Sequence, residues 1–197
     1  MKDKITMILF VLILGGILSS SLVIVDAFTR PLIEKNASIK LKSGVLEALG
    51  IKYVESEIEE TFERSVSESE AGERSYFTSV SGEIALPFEG SGLWGPIRGI
   101  LAMGPDLVEI KGVTIIQQEE TPGLGSRIAE EPYLSQFVRK RFPPESESGR
   151  LEVVSPGKSV EPNQIDSISG ATLSSTAFVE ILNDEYSLYR ELLRGND

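Results

Sequence analysis

The 197-residue chain contains no cysteine and no histidine. The first absence removes disulfides, thiolate nucleophiles and cysteine-held iron–sulfur clusters. The second removes the commonest general base, the usual zinc and haem ligands, and Ser-His-Asp hydrolysis. Positive charge is also scarce: 19 Lys and Arg against 30 Asp and Glu leave a formal net charge of −11. Such a balance argues against nucleic-acid binding, which needs clustered cations facing phosphates. Neither a catalytic acid or base nor a metal site is expected. Any redox chemistry has to come from a cofactor that needs neither missing residue, and a flavin, whose ring carries its own electron chemistry, meets that condition.

What is present is enough for a folded domain, since 41% of the residues are apolar. "ITMILFVLILGGILSSSLVIV", Ile5 to Val25, carries no charge. As a helix it would run roughly 30 Å, about one hydrocarbon core. A cleaved signal peptide is the other reading, but its apolar region is usually shorter, and no clean small-x-small site precedes Asp26. An uncleaved anchor is favoured. Lys2 and Lys4 precede the span while Arg30, Lys35, Lys40 and Lys42 follow it, so charge bias gives no orientation.

Pro31 is expected to end or bend the anchor helix. Ile39, Leu41, Val45, Leu46 and Leu49 then follow a loosely helical pattern closed by Gly50. The acidic run from Glu55 to Ser75 reads as a solvated helix or loop. From Tyr76 short apolar or alternating runs separated by Gly, Pro and Asp imply strands, antiparallel by default. "SRIAEEPYLSQFVRKRF" reads as a helix interrupted by Pro132, "RLEVVS" as a further strand, and Leu173 to Arg194 as a long helix packed on a sheet. The expected class is α+β, an antiparallel sheet with helices on one face or at one end, preceded by one transmembrane helix. The expected division is an anchor at 1–30, a helical and acidic connector at 31–75 and a ligand-binding domain at 76–197.

Three stretches carry chemistry. "GSGLWGPIRG", Gly90 to Gly99, holds the single tryptophan of the chain, Trp94, beside Leu93 and between glycines. Its indole either plugs the core or offers a face to a planar ligand. "EETPGLGSRI", Glu119 to Ile128, is a Pro-Gly turn with a second glycine, able to take positive φ and present backbone amides. "SISGATLSSTAF", residues 167–178, crowds Ser169, Thr172, Ser174, Ser175 and Thr176 at a helix entrance. A cap needs one or two hydroxyls; the orphan amides of a first turn with an uncluttered approach also suit a phosphate. The residues alone leave both open.

Together the stretches resemble the landmarks of FMN-binding domains. "DSISGAT", Asp166 to Thr172, is similar to the flavinylation motif in which the last Thr carries FMN through a phosphoester, and "GLWGPIRG" and "EETPGLG" are similar to the other two, in the right order. The family includes the C subunit of the Na+-translocating NADH:quinone reductase and the G subunit of the Rnf electron-transport complex. "GLWGP" is closer to the former, although this chain is shorter than its usual representatives. The resemblance implies Thr172 as the attachment point, within a sequence (Asp166, Ser169, Gly170, Ala171) read by an FAD:protein FMN transferase, with Ser174 at the same helix entrance. It places the flavin ring between Leu93-Trp94 and Thr121–Leu124, Gly123 included, with Glu120 and Thr121 reaching the ring or ribityl chain. It further implies a single-pass subunit of the inner membrane, its domain on the periplasmic side, relaying electrons among other membrane subunits of an Nqr- or Rnf-type complex. A membrane-tethered flavin-binding sensory module and a cofactor-free interaction domain are the rival expectations.

Overall fold

The computed structural model describes residues 2–143 and 149–194. The chain divides into two compact units, Met1–Ile39 and Lys40–Asp197. The first is helical wherever it is described, with its side chains exposed over residues 3–38. Helix α1 (Lys2–Ala48) is the one helix among the described residues long and apolar enough to cross a membrane. It runs through Pro31 and does not end there. A proline inside a helix forfeits one intrahelical amide bond and crowds the preceding turn, and here the helical path survives that loss.

The second unit is built on a five-stranded antiparallel meander in the order β1-β2-β3-β4-β5. The strands are β1 (Val66–Ala71), β2 (Arg74–Ser79), β3 (Ile84–Ser91), β4 (Pro96–Met103) and β5 (Ile110–Gln117). Sheet structure therefore starts earlier than Tyr76. The acidic run splits into helix α2 (Ile58–Ser65) and strand β1. Phe62 of α2 packs edge-on against Phe77 of β2, ring centroids 5.7 Å apart. In β1 the glutamates Glu68 and Glu70 lie between buried Val66 and Ala71, so composition alone hid the strand.

Both faces of the sheet are covered, not one. Alternation sends Ile97, Leu101 and Met103 of β4 into the main core with helix α4 (Thr172–Arg194). On the other face the last turns of α1 bury Val45, Leu46 and Ala48. There Gly44 lets the α1 backbone settle on the sheet, since a Cβ at that position would come within 2.8 Å of the Ile116 side chain.

Residues 126–142 form no continuous helix. They hold most of a 3-10 turn at Gly125–Ala129, helix α3 (Glu131–Leu134) and a 3-10 turn at Ser135–Phe137. Pro132 stands in the first turn of α3, where its missing amide costs no intrahelical bond. Strand β6 (Glu152–Val154) pairs in parallel with β7 (Gln164–Asp166), a strand the sequence pattern did not expose. Asn183 ties α4 to this pair, accepting from the Leu151 amide at 2.7 Å and donating to the Leu151 carbonyl at 3.0 Å.

The core centres on Phe178 of α4, whose ring lies 5.5 Å from Phe137, 5.9 Å from Phe88 and 6.2 Å from Tyr133. The hydroxyl of Tyr133 is buried beside Ser175 but makes no hydrogen bond of good geometry among the described residues. Burial pushes this phenol up to about 12. A raised folded-state value favours the neutral form, so the contribution is complete below the unfolded tyrosine value near 10 and is lost as pH rises through about 12. A shift of that size corresponds to about 2–3 kcal/mol. Tyr133→Phe removes at most a poorly aligned contact with Ser175, so it should melt close to the parent at pH 7 and retain more stability than the parent at pH 11. Parallel alkaline loss in the two proteins would count against this.

Candidate functional site

Three segments far apart in sequence converge on one open groove of about 430 Å³. This lies within the roughly 300–1,000 Å³ range of small-molecule sites. Leu93 and Trp94 come from the β3–β4 loop, Thr121, Leu124 and Gly125 from the turn after β5, and Gly170 to Ser174 from the entrance of α4. The lip is apolar and exposed: Trp94 71%, Leu173 67%, Leu124 50% and Leu93 46%. Trp94 thus does not plug the core, and its indole is free to offer a face.

The β3–β4 loop is a tight turn, closed by the Gly92 amide donating to the Gly95 carbonyl at 2.8 Å. In the second loop the Thr121 carbonyl accepts from the amides of Leu124 and Ser126, both at 3.1 Å. Gly123 holds a φ of 73° at the apex, and its amide donates to Ser126 Oγ at 3.0 Å.

At the α4 entrance the crowded hydroxyls separate by task. Ser175 Oγ accepts from the Ile168 amide and donates to the Ala171 carbonyl, both at 3.1 Å, which fastens the incoming loop. Thr176 Oγ1 donates back to the Thr172 carbonyl at 3.0 Å. Ser174 Oγ donates to Glu120 Oε2 at 2.7 Å. Thr172 is exposed, and its hydroxyl has no hydrogen bond among the described residues. The first intrahelical bond runs from the Ser175 amide to the Ala171 carbonyl at 3.0 Å, which leaves the amides of Thr172, Leu173 and Ser174 without a helical acceptor. Among the described residues no Ser or Thr hydroxyl accepts from those amides. An ordinary side-chain cap is therefore not what the cluster forms. Free amides and the positive end of a 23-residue helix dipole favour an anion beside Thr172. Gly170, at φ 82°, turns the chain into the helix without a side chain over that approach.

Not every candidate residue lies in the groove. Leu93, Trp94, Thr121, Leu124, Gly170, Ala171, Thr172 and Ser174 line it, and Asp166, Ser169, Glu120 and Gly123 do not. Asp166 instead braces the preceding loop, its Oδ1 accepting from the amides of Lys158 and Ser159, each at 2.9 Å. Glu120 is 4% exposed and stands behind the wall. Its Oε1 accepts from the amides of Leu93 (2.7 Å) and Trp94 (3.2 Å). Gly125 and Leu173 also line the groove, and neither was among the sequence candidates. An exposed leucine directly after the key threonine was the available signal for Leu173. For Gly125 it was the second glycine of "TPGLG".

A neighbouring groove of about 620 Å³ shares Leu93 and Leu173 and is bordered by Glu89, Glu180, Asp184 and Glu185. Burial raises the Glu185 carboxyl, the hydrogen-bonded Arg74 guanidinium opposes that rise, and the like charge of Asp184 adds a smaller upward push. An anionic group is disfavoured along that acidic side and favoured at the amides of α4.

Residues 92–187 match the family model of the FMN-binding domain. The chain is 37% identical over 126 residues to the C subunit of the Na(+)-translocating NADH-quinone reductase of Chlamydia trachomatis, covering 56% of this chain and 40% of that protein. It is 36% identical over 94 residues to its counterpart in Vibrio vulnificus, covering 47% and 37%. The match thus spans about two fifths of the length of these relatives. Among solved structures, the C subunit of the Parabacteroides distasonis Na(+)-translocating NADH-quinone reductase superposes with a TM-score of 0.69 at 26% identity, over 83% of this chain and 96% of that one. Shewanella oneidensis NqrC gives 0.68 at 21% identity, over 76% and 93%, a likeness of fold. With all three motifs falling on residues 92–187, the resemblance they carry is borne out: this part of the chain is a match to the FMN-binding domain family.

Proposed function

We propose that this chain is a membrane-anchored flavoprotein subunit that relays electrons through FMN esterified to Thr172. One observation carries the reading: the Thr172 hydroxyl is exposed and uncommitted at the mouth of an apolar groove, beside amides that lack a helical acceptor. Those amides would hold the phosphate, and Leu93, Trp94 and Leu124 would flank the ring. When bound, FMN supplies one- and two-electron chemistry without any protein acid or base, in keeping with a chain that has no histidine.

In the acceptor step the Oγ–H bond of Thr172 and the pyrophosphate P–O bond of FAD would break and an Oγ–P bond form, AMP leaving and the hydroxyl proton passing to solvent. An FAD:protein FMN transferase is the expected catalyst. Of the expected division, 1–30 would anchor the protein in the inner membrane. The FMN domain on the periplasmic side, expected at 76–197, would extend back through the connector at 31–75 to about Lys40, because α2, β1 and the end of α1 belong to the same compact unit. The relatives are parts of a Na+-translocating NADH-quinone reductase. On that ground the partners are the other membrane subunits of an Nqr-type complex, with an Rnf-type complex the alternative.

The test is co-expression of the full chain with such a transferase, followed by a denaturing gel under ultraviolet light and intact-mass measurement. The parent should give a fluorescent band and a mass increment of one FMN, both absent in Thr172→Ala. A dark, unmodified parent band sinks the proposal. The floor of the groove gives a second test, because a Cβ at Gly125 would come within 2.5 Å of Ser174 Oγ and 2.8 Å of Glu120 Oε2. Overpacking of this kind costs about 1–3 kcal/mol. Gly125→Ala should therefore lower both the melting temperature and the flavin content of co-expressed protein, and unchanged values for both would contradict the groove assignment.

A further inference from the structure

We infer that Glu120 is a positioning residue, a buried carboxylate that latches the Trp94 loop to the first turn of α4 and so fixes the groove around Thr172. Both its oxygens are engaged, and in two directions. Oε1 takes the Leu93 and Trp94 amides from one loop, and Oε2 takes the Ser174 hydroxyl from the helix that begins at Thr172. The carboxylate itself is aimed by the chain that carries it, since the Glu120 amide donates to Gln118 Oε1 at 2.6 Å.

The surrounding sequence makes room for it. An added Cβ at Gly92 would come within 2.5 Å of Glu120 Oε1, and one at Gly125 within 2.8 Å of Oε2. A glycine on each side thus lets the carboxylate sit against bare backbone. With three donors taken up, it has no free role toward a ligand, and at 4% exposure it does not reach the groove. Charge-assisted bonds to backbone amides in a dry setting are the stronger kind, and a loop held by them loses little freedom when a ligand arrives.

The link to FMN rests on the proposed function, whereas the latch is readable without any flavin. Residue-resolved hydrogen exchange on the unmodified full-length chain in detergent provides the test. In Glu120→Ala the amides of Leu93 and Trp94 should exchange about tenfold faster, with the interior β4 amides unchanged. Glu120→Gln should keep them slow, because its carbonyl oxygen can accept both amides and its NH2 can donate to Ser174 Oγ. Flavin loading on co-expression should fall in the first variant and recover in the second. Wild-type exchange at both amides in Glu120→Ala, or Glu120→Gln as fast as Glu120→Ala, would overturn the latch.

Should Glu120→Ala not fold, Ser174→Ala severs the helix arm alone. It should quicken the Ser175 amide and leave Leu93 and Trp94 slow, and an unaffected Ser175 amide would refute the tie. A dark gel band with slow amides at Leu93 and Trp94 would remove FMN and leave the latch standing. A bright band with amides indifferent to Glu120 would do the reverse.

Discussion

The burial of Phe178 is the constraint on which the groove depends. Its ring is fully enclosed and meets Phe88 of the sheet together with Tyr133 and Phe137 of the short turns. Burying such a side chain stabilises by about 1.5–3 kcal/mol, and the edge-to-face contact with Phe137 adds to that. Phe178 lies on the same rigid helix as Thr172, roughly 9 Å further along its axis. Locking one therefore sets where the other emerges. The loops that complete the groove are hung from the same sheet, β3 and β4 bounding the Trp94 turn and β5 leading into the Thr121 turn. A ligand site assembled from three distant segments inherits its precision from this one packing contact, with the Asn183 bonds to Leu151 adding a second fix further along α4.

Within that frame the hydroxyl-rich entrance of α4 divides its labour. Ser175 closes the loop, Thr176 bonds back along the helix and Ser174 reaches the carboxylate behind the wall. The bonds of Ser174 and Ser175 hold buried oxygens away from the surface, while Thr176 keeps its hydroxyl engaged along the helix. Ser169 and Thr172 are left exposed and uncommitted, and of the two only Thr172 lines the groove. A local excess of Ser and Thr, which looks redundant in one dimension, becomes a way to stiffen the site while presenting a chosen oxygen.

Much of this was legible in the chain itself. Periodic Phe178, Ile181, Leu182, Tyr186, Leu188, Tyr189 and Leu192 announced α4; Leu188 and Leu192 are half-buried and the other five are buried. Gly and Pro punctuation marked β3 to β5, and the three motifs that stood out by composition are the segments that meet at the groove. The misses have physical causes. β1 was hidden because its outward glutamates dominate the composition while small Ala71 and a lone Val66 supply the buried ends. Residues 126–142 carry helical amphipathicity, yet Pro132 and the close packing of Tyr133 and Phe137 break them into single turns. α1 passed Pro31 because one missing amide is a modest loss in a 47-residue helix. Glu120 is the instructive case. A polar residue beside a ligand loop reads as a ligand contact, and only the third dimension turns its side chain inward. The spacing of the glycines at 92 and 125 around it could not speak until the loops were placed together.

The exposed lip is the feature that most needs a reason. A strongly acidic chain has little cause to leave Trp94, Leu93, Leu124 and Leu173 bare around one groove, because clustered apolar surface invites association unless something covers it. A flavin held by contacts alone would need most of its surface enclosed, as small-molecule sites generally provide. This groove is too open for that, with Trp94 71% exposed. On the proposed function an ester to Thr172 would remove the need, because residence would no longer depend on burial. The wall can then be shaped for orientation, by the amides of α4 at one end and the lip at the other. A ring seated in so open a groove would remain within reach of an electron-exchange partner, which an enclosed pocket would deny. The open groove, the uncommitted hydroxyl and the missing histidine would thus follow from the single arrangement proposed, in which attachment is covalent and the protein's part is to aim.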